Sequence, residues 1–303
     1  MNSKIAILGS SGMLGHQVAN YFYRHYYPAD LTFFARNIDS KKWQGVETVE
    51  LDDDWCALHD INKYDYIINC IGVINRRIDE KDPSSRINAF IGNVSLPYYL
   101  ARKVEGTNTQ ILQISTDCVF NGKEPLALTE VTPHNATDWY GKTKSLGEVV
   151  SKNFHHIRTS IIGREEPPNR RSLLEWFLHL EQGAEVNGFV NHLWNGTTTL
   201  EFAKLCFSII TNNIDMPLVH HFVHIDIVTK YGMLKTFAKV FDRPDIKINP
   251  YETEPVYKAL TTLSPNLNAE LVASIGYKKP TFENLLWELK NETENSSVFG
   301  YET

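Results

Sequence analysis

Short apolar runs alternate with helical spacings through the first half of the chain. Residues 4–8 (KIAIL) read as a buried strand. Residues 13–25 follow with Leu14, Val18 and Phe22 four apart, which is one face of a helix. Further strands are expected at 31–35, 47–51, 66–71, 110–114 and 155–161. Helices are expected at 85–103, with Leu96 and Leu100 continuing to Val104 on one stripe, and at 138–152. Near-continuous apolar strands alternating with helices require a parallel sheet covered on both faces, and right-handed crossovers make it doubly wound.

Beyond residue 163 the rhythm loosens. A polar, proline-containing loop at 165–171 precedes helical patterns at 172–180, 199–210 and 229–241, with a strand at 218–225. Two more helices are expected at 266–274 and 281–291, then a polar, frayed tail.

The first strand runs into Gly9-Ser10-Ser11-Gly12-Met13-Leu14-Gly15, a G-x-x-G-x-x-G pattern. Glycines let the backbone turn tightly and approach a pyrophosphate, and the helix that follows aims its dipole there. A bare glycine pattern is also an ordinary turn. Its position between the first strand and an amphipathic helix makes it a dinucleotide fingerprint. The fold class is therefore α/β, a Rossmann-type doubly wound parallel sheet with a smaller C-terminal substrate-binding domain. Residues 1–163 form the NADP-binding domain, with 195–228 returning to it. Residues 164–194 and 229–303 form the other.

An NAD site needs an acid after the second strand for the ribose 2′-hydroxyl. This chain has Arg36 there, with Lys41 and Lys42 nearby, which suits a 2′-phosphate. NADPH is expected over NADH. A solvated basic loop is the plainer alternative.

Composition narrows the role. Thirty Lys and Arg against 36 Asp and Glu give a net charge of -6, which disfavours nucleic acid as the main partner. The four cysteines contain no C-x-x-C and cannot be a disulfide scaffold or a zinc knuckle. No apolar run approaches the roughly 18 residues of a membrane span, and no signal peptide is visible, so a cytoplasmic location without membrane contact is expected.

Tyr140 and Lys144 form Y-x-x-x-K on the helix at 138–152, one face apart by a turn. An ammonium beside a phenol lowers its pKa, and such a tyrosine can protonate a carbonyl oxygen as hydride arrives. Lys142 lies on the wrong side of that helix. The fifth strand ends in Ser115-Thr116-Asp117-Cys118, where open parallel sheets bind ligands. Each motif alone is weak; together, in order and on the right elements, they are strong.

These residues resemble the extended short-chain dehydrogenase/reductases, and more narrowly the dTDP-4-dehydrorhamnose reductase-like family. The matching segments are GSSGMLG (9–15), NCIG (69–72), INA (87–89), STDCVFNG (115–122), YGKTKSLGE (140–148), RTSIIG (158–163) and NGTTTLEFAKL (195–205). The resemblance implies an NADPH-dependent reductase of the 4-keto group of a nucleotide-linked 4-keto-6-deoxy sugar, serving surface polysaccharide synthesis. It makes Thr116 the carbonyl-orienting group and Tyr140 the proton donor. Lys144 would tune Tyr140 and hold the nicotinamide ribose. Asp52 or Asp53 would meet the adenine, Cys70, Ile71 and Gly72 would pass under the cofactor, and Asn88 would support the site. A homodimer through the helices at 85–104 and 138–152 is implied by analogy. No metal-ligand cluster is readable.

Two departures matter. Cys118 stands where rhamnose reductases carry an aromatic, and GDP-fucose synthases, which epimerise before reducing, carry a cysteine there. Those enzymes pair it with His or Lys after the sixth strand, and 164–173 here has neither. A 3,5-epimerase/4-reductase using Cys118 is thus the alternative, and a non-catalytic NADP-binding regulatory subunit is another. In the divergent substrate half, Asp117, Arg164, Arg170 and Arg171 are expected to meet the substrate, the arginines through its diphosphate. Trp176 and Trp194 could stack on it or could simply be core.

Overall fold

The computed structural model describes residues 2–294 apart from 53, 126 and 167–170. Asp53, Arg170 and the tail after 294 therefore lie outside the described residues.

The first half builds β1 (Ile5–Leu8), α1 (Met13–His25), β2 (Leu31–Ala35), β3 (Glu47–Glu50), β4 (Tyr66–Asn69), α2 (Pro83–Phe90), α3 (Leu96–Val104), β5 (Gln110–Ser115), α4 (Trp139–Leu146) and β6 (Phe154–Arg158). The second half adds β7 (Ile161–Ile162), α5 (Leu173–Leu178), β8 (Glu185–Phe189), β9 (His192–Trp194), β10 (Thr197–Thr198), α6 (Thr199–Thr211) and β11 (Val219–His221). It closes with β12 (Val228–Thr229), α7 (Lys230–Val240), β13 (Lys247–Tyr251), β14 (Val256–Tyr257), α8 (Pro265–Ser274) and α9 (Phe282–Glu294).

Among the described residues, seven strands form one sheet in the order β11-β6-β5-β4-β1-β2-β3. Every neighbouring pair is parallel. This is the Rossmann-type doubly wound α/β fold. Its order reverses between β1 and β4, and ligand crevices open at such a switch point.

Alternate residues of the central strands feed two cores. Ile5, Ile7 and Leu112 join Val18 and Phe22 of α1 and Phe202 of α6 on one face. Ala6, Leu8 and Ile67 join Leu96, Leu100 and Val104 of α3 on the other. A third core gathers Phe177, Trp194, Phe237 and Leu285 from the second half of the chain.

Several boundaries differ from the expectation. The helix expected at 85–103 starts at Pro83, where Asp82 caps it through Ser84 and Ser85 N–H. It is broken by a π-turn at Ile91–Ser95. The helix expected to reach 152 stops at Leu146, with Gly147 as its C-cap packed so closely against the Asn93 carbonyl that a Cβ would overlap it. The strand expected at 155–161 ends at Arg158, and Ile161–Ile162 pairs instead with β10. The short pairings β8–β13, β9–β12 and β9–β14 were not legible, being brief, half-polar segments joined across about sixty residues or held at edges.

Candidate active site

The site begins with the glycine turn after β1. Gly9 has φ +81, which glycine adopts without strain. Its N–H and that of Ser10 both donate to the Phe34 carbonyl, at 2.7 and 3.1 Å, fastening the turn to β2. A Cβ at Gly15 would overlap the Gly9 carbonyl oxygen, so only glycine lets α1 start this close beneath the turn. Ile71 backs the turn from β4. Gly12 is the N-cap of α1, with no side-chain cap and no acid in the first turn. By contrast Asp82, Asp138, Ser172, Thr198 and Thr229 cap α2, α4, α5, α6 and α7. The positive end of α1 is thus left without a side-chain partner, and Gly12, Met13 and Leu14 face a cavity. That cradle fits a pyrophosphate.

The cavity is about 340 Å³ and lies across the C-terminal ends of β1, β4 and β5. Cys70, Gly72, Thr116, Asp117, Cys118, Tyr140, Lys144 and Arg171 line it together with the glycine cradle. Residues far apart in sequence therefore share one crevice. A larger hollow of about 1050 Å³ opens at the opposite ends of the strands, around Asp65, Gln110 and His155, and none of the candidate catalytic residues reaches it.

Asp138 caps α4 by accepting the Gly141 N–H at 2.8 Å, which sets Tyr140 and Lys144 toward the cavity while Lys142 stays exposed. Lys144 is buried and donates to the Ile114 carbonyl at 2.9 Å. Burial pulls its pKa down to about 8, against the opposing charge of Glu148. The expected lowering of the Tyr140 phenol is not seen. Burial, with Cys118 and Asp117 close by, raises it above the usual value, and the neighbouring Thr116 hydroxyl only partly offsets this. The phenol therefore stands protonated. Thr116 Oγ1 donates to Asp117 Oδ1 (3.1 Å) and accepts the Cys118 N–H (3.1 Å).

Behind these groups lies a buried ion pair. Arg158 binds Glu148 through Nε (2.7 Å) and Nη2 (2.6 Å), and Ser115 Oγ donates to the same carboxylate at 2.5 Å. The pair ties the end of α4 to β5 and β6, and it occupies the Ser115 hydroxyl.

Three expected site residues move out. Asn88 is exposed on α2. The buried asparagine of this segment is Asn93, which is 2% exposed. Its side chain accepts the Val73 N–H (2.8 Å) and donates to the Val73 carbonyl and to Thr143 Oγ1 (both 3.0 Å). It thereby joins the loop after β4 to α4. Ala89, Asn93, Leu96, Leu100 and Val104 form one buried stripe. Extending the apolar stripe one turn back would have found position 93 rather than 88. Arg164 is committed to buried Glu175, at 2.5 Å, instead of facing the cavity. Trp194 is core, edge-on to Phe282 at 5.2 Å, and Trp176 packs against the same cluster.

The remaining expected residues lie around the rim. Ser11 donates to the Arg36 carbonyl at 3.3 Å, so exposed Arg36 sits beside the glycine turn. Lys42 is paired with Glu166 at 2.7 Å. Exposed Asp52, just past β3, accepts the Cys56 N–H at 2.9 Å. Arg76 and Arg77, which sequence reasoning missed, join Arg171 at the cavity mouth; Arg76 donates to the Arg171 carbonyl at 2.7 Å. The doublet five residues past Asn69-Cys70-Ile71 was the available signal. Cys118 does have a basic neighbour, Lys258 Nζ at 3.5 Å, supplied from 140 residues away rather than from after the sixth strand. Burial and then the Asp117 charge push the Cys118 thiol up to about 12 despite Lys258. Among the described residues no cluster of three or more His, Cys, Asp or Glu could hold a metal.

A family model, RmlD substrate binding domain, matches residues 3–293. The chain belongs to this family. Solved structures of the same shape include a dTDP-4-dehydrorhamnose reductase from Clostridium acetobutylicum, 22% identical, with TM-score 0.69, covering 96% of this chain and 99% of that one. Another is the dTDP-4-dehydrorhamnose reductase from Bacillus anthracis in complex with NADP, 18% identical, with TM-score 0.70, covering 97% and 100%. A curated relative, methionine adenosyltransferase 2 subunit beta from Bos taurus, is 24% identical over 92% of this chain and 84% of its own length. No helix among the described residues of this RmlD-family chain is long and apolar enough to cross a membrane.

Proposed function

We propose that the protein is an NADPH-dependent reductase of the 4-keto group of a nucleotide-linked 4-keto-6-deoxy sugar, acting in surface polysaccharide synthesis. The observation that carries this reading is the meeting of Thr116, Tyr140 and Lys144 with the uncapped start of α1 in one cavity. The backbone at Gly12–Leu14 would hold the pyrophosphate, Asp52 would lie toward the adenine, and Arg36, the residue directly after β2, would meet a 2′-phosphate. The dinucleotide, when bound, supplies the hydride for C4. Thr116 would orient the carbonyl by turning its hydroxyl proton from Asp117 Oδ1 onto the carbonyl oxygen. Tyr140, protonated at rest, gives its proton to O4 as charge develops there, and the Lys144 ammonium stabilises the phenolate left behind. Arg76, Arg77 and Arg171 at the cavity mouth suit the diphosphate.

Incubation with NADPH and a panel of 4-keto-6-deoxy sugar nucleotides tests this reading. Loss of NADPH absorbance with formation of a 6-deoxyhexose nucleotide is expected. Absence of turnover across the panel, with NADPH bound, would favour instead a non-catalytic NADP-binding subunit, the reading that the methionine adenosyltransferase relatives support. Epimerisation before reduction needs a thiolate at Cys118, and a thiol held near 12 works against it. Solvent deuterium appearing at C3 or C5 of the product and lost in Cys118→Ala would reverse that judgement.

The homodimer belongs to the same proposal. Ile87, Phe90, Ile91 and Tyr98 on the α2–α3 side and Leu146 and Val150 on the α4 side are large apolar side chains left exposed. Such a concentration on and beside α2, α3 and α4 suits a partner copy.

A further inference from the structure

Lys144 and Glu148 grip neighbouring residues at the end of β5. Lys144 Nζ donates to the Ile114 carbonyl at 2.9 Å, and Ser115 Oγ donates to Glu148 Oε1 at 2.5 Å. Thr116, the next residue of the chain, lines the cavity. Lys144 is 7% exposed and the Glu148 side chain is equally buried. Their charges therefore face each other across one residue of strand, with little water to screen them. Burial works against the Lys144 ammonium, and the Glu148 carboxylate opposes that loss.

The other groups around this pair are neutral or already engaged. Arg158 grips Glu148 through Nε and Nη2. A guanidinium can only donate. His134 Nε2, 2.6 Å from Arg158 Nη2, and His221 Nε2, 3.1 Å from Nη1, must therefore accept. Each ring carries its proton on Nδ1, His134 toward Ser145 Oγ at 2.7 Å and His221 toward the Thr261 carbonyl at 2.9 Å. Both rings are neutral. His156 on β6 donates from Nε2 to the Val149 carbonyl at 3.0 Å, and burial pulls its pKa down to about 4. Glu130, beyond His221, accepts the His221 N–H at 3.0 Å and the Leu263 N–H at 2.8 Å. On the cavity side stand Cys70, Tyr140 and Asp117, the last accepting the Thr116 hydroxyl. Burial alone would raise the Glu148 carboxyl, but Arg158 and Ser115 more than offset it and hold it below its ordinary value. Glu148 thus stays an anion between two buried cations, Lys144 and Arg158.

We propose that Glu148, clamped by Arg158, is a positioning residue that keeps Lys144 an ammonium and locks the Ile114–Thr116 end of β5 against α4. Its place in proton delivery rests on the reading of Tyr140 and Lys144 given above. Glu148 does not line the cavity, so it acts through Lys144 and the strand end.

The test reads the charge of Lys144 directly. Trace acetic anhydride acetylates only the neutral amine, so labelling of the Lys144 peptide against pH, followed by mass spectrometry, gives its titration midpoint. Wild type, Glu148→Gln, Glu148→Asp and the double variant Glu148→Gln/Arg158→Gln are compared, with folding checked by circular dichroism. Glu148→Gln should lower the midpoint by about one pH unit, the size expected for losing a nearby opposite charge. Glu148→Asp keeps the charge and should restore the wild-type midpoint. If Glu148→Gln fails to fold because Arg158 is left unpaired, the double variant, which lacks both charges, should show the same downward shift. A midpoint unchanged or raised in the folded variants overturns the inference, whatever the turnover. With an active wild type, the alkaline limb of the pH–rate profile should move down together with the midpoint, and a limb that stays put overturns the link to proton delivery. A shifted midpoint in a protein that turns over no 4-keto sugar nucleotide removes the reductase reading and leaves the hold of Glu148 on Lys144 standing.

Discussion

Tyr140 concentrates the chemistry in one hydroxyl. Removing it leaves the glycine cradle, Thr116 and Lys144 in place. Tyr140→Phe should therefore lower turnover about 10²–10⁴-fold, the usual size of a general-acid contribution. NADPH affinity and melting temperature should stay near wild type, and NADPH titration with steady-state rates checks this. Lys144 sets the pH dependence. Its folded pKa is lowered to about 8, chiefly by burial, so the ammonium is present below that pH and lost above it. Turnover should hold between pH 6 and 7 and fall as pH rises through about 8. A pH–rate profile that instead rises through this range would contradict a role for the charged lysine. Tyr140, Lys144 and Thr116 were legible because each sits where its element's geometry puts it. The raised phenol was not, because its burial, and after it the charges of Cys118 and Asp117, come from the tertiary fold, and spacing along one helix carries no information about that.

Among the elements, α1 and the α2–α3 segment do most to position the site. The start of α1 could be read to the residue, since a strand, three glycines and an amphipathic stripe agree locally. Gly15→Ala should expel α1 from its seat under Gly9, with loss of NADPH binding measured by fluorescence titration and a lower Tm. The π-turn at Ile91–Ser95 was invisible to a pattern built on 3.6-residue periodicity, and Asn88 was expected from the match at 87–89, which carries no information on which asparagine of the segment is buried. Asn93→Ala should leave the Val73 amide groups and Thr143 without their partner. It should cost about 1–3 kcal/mol in chemical denaturation. Asn88→Ala, on an exposed helix face, should cost little.

For the whole molecule, the doubly wound sheet followed from alternating apolar runs, because each strand is buried on both faces and writes its own signature. The second half did not. Its short strands pair at long range, its cations reach the cavity from segments with no motif, and Lys258 meets Cys118 only through tertiary folding. The exposed apolar side chains of α2, α3 and α4 bear on assembly. Leu146→Asp combined with Tyr98→Asp should shift a dimer to monomer by light scattering while leaving the far-ultraviolet spectrum unchanged, whereas a wild type that is already monomeric would remove the proposed interface. The central claim is that this crevice delivers hydride to a sugar carbon while Tyr140 delivers the proton. The most direct measurement uses NADPH deuterated at its transferring carbon with a dTDP-linked 4-keto-6-deoxy sugar, the product being read by nuclear magnetic resonance. Deuterium at C4 with wild type, and almost none with Tyr140→Phe, is the expected result; no deuterium at C4 with wild type, when both ligands are bound, would contradict the account.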